Sequence, residues 1–279
     1  MNDLAEFVIR RILVALDTST HSLAALEEAA SLASAMQAEL LGLFVEDINL
    51  VRIAGLPFAR QVSYPSGAEE RMSSERLDRE LKARAELARK ALAAAAGRQH
   101  TRWSFRTVRG QVTGEILAAA SQSDLVLLGR SGWSPARPLG STALSLIAAS
   151  PGAFLLVPQD VPQSGPIAVL YEGSTDSRRA LEAAIRLAMA RHAGLLVLAS
   201  GATPEAWTTL QQQARQIIGG RVKDVRVRRV QAASSRDFAH VLKTQGPRLL
   251  VLPGSSALAQ EAEIRSLLEL SHSPLLLIR

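Results

Sequence analysis

Leu125-Val126-Leu127-Leu128-Gly129-Arg130-Ser131-Gly132, resumed at Leu139-Gly140-Ser141-Thr142, holds more structural information than any other part of the chain. An unbroken apolar run ended by glycine reads as a parallel strand buried on both faces. The glycines that follow let the main chain approach a ligand closely, because no Cβ intervenes. Ser141 and Thr142 precede Ala143-Leu144-Ser145-Leu146-Ile147-Ala148, which reads as the opening turns of a helix with a hydroxyl N-cap. A glycine loop running from a strand into a helix N-terminus gathers free N–H groups and the positive end of the helix dipole, so it suits an anion, above all a phosphate. It is not a Walker A loop, since no Gly-Lys-Ser/Thr follows, and it is not G-x-G-x-x-G. Turns of this kind also serve as plain structure, so both readings stand at this point.

The chain repeats itself. Ile12-Leu13-Val14-Ala15-Leu16-Asp17-Thr18-Ser19-Thr20-His21-Ser22 is echoed by Ile167-Ala168-Val169-Leu170-Tyr171-Glu172-Gly173-Ser174-Thr175-Asp176-Ser177. The register continues, with Ala25, Leu26 and Glu27 matched by Ala180, Leu181 and Glu182, and Leu40-Leu41 by Leu195-Leu196. Later segments follow suit: Leu125-Val126-Leu127-Leu128 with Leu249-Leu250-Val251-Leu252, and Ser150-Pro151 with Ser273-Pro274. Two copies of one α/β unit are the first organisational conclusion.

A length of 279 residues suits two domains, each able to bury its own core. The absence of cysteine excludes a disulfide framework and thiol chemistry, and fits a reducing compartment. No apolar run is long enough to span a bilayer, and the first residues carry Asp3 and Glu6 where a leader would be basic, so a cytoplasmic protein is expected. The net charge of +6 comes from arginines scattered over expected helices, and aromatics are only 4% of residues, which argues against a nucleic-acid surface.

Strands are expected at 10–16, 39–45, 102–109, 124–129 and 153–157. Helices are expected at 20–36, capped by Ser19 or Thr20, and at 112–121 and 141–149, with a long one ending near Ala96 at Gly97. Ser66 and Glu69 have capping-box spacing at its start. Between Asp47 and Ser66 lies an irregular stretch whose apolar part, Ile53 to Phe58, is expected to pack within the chain rather than meet a partner. Pro158 to Pro166 reads as the linker, and the second half repeats the plan with a shortened middle. Alternating strands and helices imply a parallel sheet with right-handed crossovers.

Val14-Ala15-Leu16-Asp17-Thr18-Ser19, Leu43-Phe44-Val45-Glu46-Asp47, Gly110 before Glu115-Ile116-Leu117, Asp124 to Gly129 and the glycine loop together resemble the universal stress proteins, in a tandem form with two domains per chain. The resemblance covers nearly the whole chain. It implies two Rossmann-like, doubly wound domains, 1–158 and 165–279, each a five-stranded, mainly parallel sheet of order 3-2-1-4-5. It implies ATP or another adenine nucleotide, with magnesium as an accompanying ion, as the cofactor of the first domain. Nucleotide-binding relatives hold phosphates with G-x2-G-x9-G-(S/T). Here Gly129 and Gly132 keep the first spacing, whereas only seven residues separate Gly132 from Gly140, and Pro135 and Pro138 stiffen them. The resemblance assigns Asp17 and Val45 to the adenine and ribose end, and Gly129, Arg130, Gly132, Gly140, Ser141 and Thr142 to the phosphates. The strand order reverses between strands 1 and 4, and their carboxyl ends open a crevice there. Asp17 has a second reading as a cap of the helix that follows, and Val45 one as a core residue.

The second half departs from this pattern. Glu172 replaces Asp17, Pro253-Gly254 replaces Gly129-Arg130, no glycine follows Gly254, and Glu261 and Glu263 stand where the loop should close, so no nucleotide is expected there. His21, His100, His192, His240 and His272 lie far apart without metal-ligand spacing, and Ser131 lacks a nucleophile-elbow context. Trp133 is expected to pack on its own domain. Two functional classes remain: a nucleotide-binding stress-response regulator, and an interaction scaffold of the same fold. Hydrolysis ranks third, because the sequence offers no convincing base or metal ligands. Relatives of one domain pair through the fifth strand, so Phe154-Leu155-Leu156-Val157 and Leu275-Leu276-Leu277-Ile278 are expected to meet within one chain, with homo-oligomers built on that pseudo-dimer.

Overall fold

The computed structural model describes residues 8–62, 69–71, 73–130, 139–149, 152–201, 203–230, 235–271 and 273–279. Gly132, Ser131, Trp133, Pro135, Pro138, Ser66, Ser150 and Pro151 lie outside them.

The first half runs β1 (Arg11–Leu16), α1 (Thr20–Met36), β2 (Glu39–Asp47), α2 (Ile48–Ala54), β3 (Arg60–Val62), β4 (Glu69–Arg71), α3 (Ser74–Arg98), β5 (Trp103–Gly110), α4 (Val112–Ala120), β6 (Leu125–Gly129), α5 (Ser141–Ala149) and β7 (Ala153–Val157). The second runs β8 (Ile167–Tyr171), α6 (Thr175–Ala190), β9 (Leu195–Ala199), α7 (Pro204–Ile218), β10 (Val225–Arg229), α8 (Ser235–Gln245), β11 (Leu249–Pro253), α9 (Glu261–Leu270) and β12 (Leu275–Ile278), with a 3-10 turn at Ala257–Ala259.

Leaving aside the β3–β4 hairpin, the described strands form one ten-stranded sheet of order β10-β9-β8-β11-β12-β7-β6-β1-β2-β5. Each half contributes five strands in the order 3-2-1-4-5, as expected. Every pairing within a half is parallel, and the two halves join where β12 runs antiparallel to β7, with Leu275 opposite Leu156 and Leu277 opposite Phe154. The two terminal edges therefore satisfy each other's main-chain groups inside one chain. The inner strands β6 to β9, β11 and β12 are apolar runs, and their residues are buried on both faces up to Gly129 at the end of β6. The outermost strand β10 alternates valine and arginine with the arginines exposed, a charged edge that discourages further pairing. One face of the sheet is covered by α1, α3, α6 and α7, the other by α4, α5, α8 and α9.

Three expectations need correction. The long helix starts at Ser74 with Ser73 as its cap, not at Ser66, and it continues through Gly97 to Arg98. The stretch after Asp47 is not irregular: Asp47 caps α2, its carboxylate accepting from Asn49 N–H at 2.9 Å. The apolar segment 53–58 does not pack away. Ala54 is buried against Leu77 and Leu81, whereas Ile53, Leu56 and Phe58 remain exposed, because a helix of seven residues has one face to dock and turns the other outward.

Candidate functional site

The carboxyl ends of β1, β2 and β6 open onto a cleft of about 590 Å³, the size of a small-molecule site. Asp17, Val45, Gly129, Gly140, Ser141 and Thr142, six of the eight residues singled out from sequence, line it. Ala15, Phe44, Leu50, Val112 and Ile116 supply apolar walls.

Asp17 leaves β1 into a tight turn. Its Oδ1 accepts from Ser19 N–H at 2.9 Å, and Thr18 adopts φ 66°, a left-handed conformation that a β-branched residue enters only under local constraint. The cap itself is Ser19, whose Oγ accepts from Ser22 N–H at 3.2 Å. Asp17 is thus not the helix cap, and its carboxylate both shapes the turn and borders the cleft.

Gly129 ends β6 where α1 begins. A Cβ there would lie 2.7 Å from the carbonyl carbon of His21 and 2.8 Å from its oxygen, so the strand end and the helix touch through main chain. Beyond it, Arg130 N–H donates to Val157 O at 2.8 Å, and Gly140 N–H donates to Arg130 O at 3.0 Å. These bonds pinch the base of the glycine loop and bring Gly140 back beside β6. The next helix begins at Ser141, so the hydroxyls of Ser141 and Thr142 sit within its first turn rather than at its cap, and Gly140 precedes it. That first turn lines the cleft, and its main-chain N–H groups have no acceptor within the helix, which makes it a favourable place for negative charge.

Arg130 does not join them. Its Nη1 donates to Leu268 O at 2.6 Å on α9 of the other half, and burial holds its guanidinium below its ordinary pKa. From the second half, Arg279 donates to Ile147 O on α5. The two arginines bind the halves reciprocally on the α5 and α9 side of the sheet. Among the described residues, the cation that borders the cleft is Arg84 of α3, which sequence reasoning missed. It carries an i,i+4 ion pair with Glu80, the ordinary appearance of a solvated helix face.

The second half differs at the corresponding strand ends. Glu172, half-buried at the end of β8, is hydrogen-bonded to Ser256 in the turn after β11, and burial raises its carboxyl pKa against that bond. Gly254 N–H donates to Ile278 O at 2.7 Å, reproducing the Arg130–Val157 bond, but the chain then enters the 3-10 turn and α9, whose first turn holds Glu261 and Glu263.

Residues 9–158 match the universal stress protein family. The chain belongs to that family. Solved structures share the whole architecture: a universal stress protein from Archaeoglobus fulgidus aligns over 99% of both chains at 16% identity and TM-score 0.73. One described as a universal stress protein from Pseudomonas aeruginosa covers 98% of this chain and 94% of its own, at 14% identity and TM-score 0.63. A protein of unknown function from the same organism covers 99% and 94%, at 14% identity and TM-score 0.58. No curated protein matches the sequence. The universal stress protein match ends at residue 158, and the second half repeats its strand order without its glycine loop. Among the described residues no group of histidines and carboxylates is placed to hold a metal ion, and no helix is long and apolar enough to cross a membrane.

Proposed function

We propose that this universal stress protein binds one adenine nucleotide, ATP or a close relative, in the cleft of its first half, and acts in the cytoplasm by regulation or assembly rather than catalysis. The observation that carries this reading is the convergence of Asp17, Val45, Gly129, Gly140, Ser141 and Thr142 on one cleft at the point where the strand order reverses. The base and ribose belong among Asp17, Phe44 and Val45. The phosphates belong at Gly140, Ser141 and Thr142, where the α5 N-terminus supplies N–H donors. Magnesium would arrive with the phosphates, since no described carboxylate cluster prepares a site for it. The second half, with Glu172 tied to Ser256, binds no nucleotide and completes the pseudo-dimer.

A second reading, an interaction scaffold without nucleotide, draws on Arg130 turning to Leu268 and on the short span from Gly132 to Gly140. Calorimetric titration with ATP separates the two. One site per chain is expected, lost in Gly140→Leu because a side chain there blocks main-chain approach to phosphate. Two sites per chain would contradict the asymmetry, and no binding at millimolar ATP would leave the scaffold reading.

A further inference from the structure

At the end of the sheet farthest from the first half, β10 offers unpaired main chain in a strongly basic setting. It is the last strand of the described sheet and pairs on one side only, parallel to β9. Leu195 N–H donates to Asp224 O at 2.8 Å, and Val230 N–H donates to Ala199 O at 3.0 Å. Residues of a strand bond to a parallel neighbour alternately, so Arg226 and Arg228 also turn their main-chain groups to β9. Val225, Val227 and Arg229 turn theirs outward, where no described strand meets them.

The side chains sort by the same alternation. Val225 and Val227 pack on the side of the sheet that carries α6 and α7, so Arg226 and Arg228 project from the other side, which carries α8. The segment from Arg221 to Val230 holds five cations against one carboxylate, Asp224. Arg221 spends its guanidinium on Ile217 O and Ile218 O, and Arg229 Nη2 donates to Gly201 O at 3.3 Å. Lys223, Arg226 and Arg228 are exposed and hold no ion pair among the described residues. Symmetric pairing with a second copy would set arginine against arginine across this edge. Carboxylates at two-residue spacing would instead match Arg226 and Arg228.

We propose that β10 is the docking edge for an extended acidic segment of a partner protein, which adds to the ten-stranded sheet as a further strand. The outward main-chain groups of Val225, Val227 and Arg229 supply its ladder hydrogen bonds, and Arg226 and Arg228 select its side chains. β10 has five residues, so the segment is of similar length, about 17 Å at a strand's rise. Its sequence alternates acidic residues, facing Arg226 and Arg228, with apolar ones on the side of Val225 and Val227. None of these positions lines the nucleotide cleft, and docking does not require that cleft to be filled.

A fluorescein-labelled peptide, Glu-Val-Glu-Val-Glu, titrated with the full chain reads the contact by anisotropy, and amide hydrogen exchange reads the main chain. Binding is expected to slow exchange at Val225, Val227 and Arg229. N-methylation of the peptide at its valines and at its glutamates should differ, one abolishing binding and the other sparing it, because only alternate N–H groups of an added strand face β10. Arg226→Glu combined with Arg228→Glu should weaken binding about ten-fold or more. Val227→Pro should abolish it while keeping the β9 ladder, since the N–H removed faces outward. The peptide variants decide the matter whether or not the chain variants fold. Protection of the three amides together with the methylation difference supports strand addition. No binding at millimolar peptide, binding without that protection, or equal binding of Glu-Glu-Glu-Val-Val overturns it. Tighter binding of a single-stranded RNA of equal charge also overturns it, in favour of a surface for polyanions at large.

Discussion

Gly129 answers to two demands at once. It closes an apolar strand beside the cleft, and it lets α1 approach β6 through bare main chain. The second demand governs stability. In Gly129→Ala the new Cβ meets the immovable carbonyl of His21, so the variant should lose about 1–3 kcal/mol in urea unfolding through overpacking. His21 has its own signature. Its Nδ1 is buried without a partner among the described residues. Burial, and then the charge of Arg130, hold its pKa below 6.5 against the opposing pull of Asp17 and Asp160. The fold therefore prefers the neutral ring while the unfolded chain takes up the proton first. Stability is full above pH 6.5 and falls as pH drops through the folded pKa. Denaturant unfolding across that range should show this step, and His21→Gln should flatten it. A step of equal size in the variant would assign it to other groups.

At the scale of elements, α3 shows what local signals leave open. Gly97 reads as a stop, yet the helix carries it in an ordinary helical conformation, and a Cβ there would meet nothing within 4 Å. Gly97→Ala should therefore stabilise the chain by about 0.4–1 kcal/mol, chiefly by restricting the unfolded state. Chemical denaturation measures it, and a loss of stability would mean that the helix end needs glycine after all. One element missed from sequence, α2, fails in the opposite sense. Seven residues are too few to display a periodicity, and its apolar residues Ile53 and Leu50 face outward or border the cleft. The long helices and inner strands were legible because apolar spacing and burial coincide in them.

At the scale of the whole molecule, the junction of β7 with β12 makes one sheet of two. Each strand offers the other an apolar, otherwise unpaired edge. Removing residues 274–279 takes away β12 and should expose Phe154, Leu155 and Leu156 along an open edge. A lower unfolding midpoint and self-association in size-exclusion chromatography are expected. A truncated chain as stable and as monodisperse as the original would show that the first half does not depend on the second. The reciprocal contacts of Arg130 and Arg279 should fail with it, since Arg279 is lost and α9 is released from its neighbour β12.

The amino-acid sequence alone determined the alternation of strands and helices and the doubling of the unit, and, through family resemblance, the strand order and six of the residues that line the cleft. These follow from patterns carried by neighbouring residues, and burial enforces such patterns wherever a strand or helix lies against a core. Tertiary structure alone decided the destinations of the arginines. Arg84 borders the cleft, Arg130 crosses to Leu268, Arg191 is buried against Glu28, and Arg248, partly exposed, donates to Gln163 O. In sequence all four look alike, as long basic side chains on helices or loops. A guanidinium reaches several ångströms from its Cα, so its partner is set by whatever element the fold places opposite, and that element is often more than a hundred residues away.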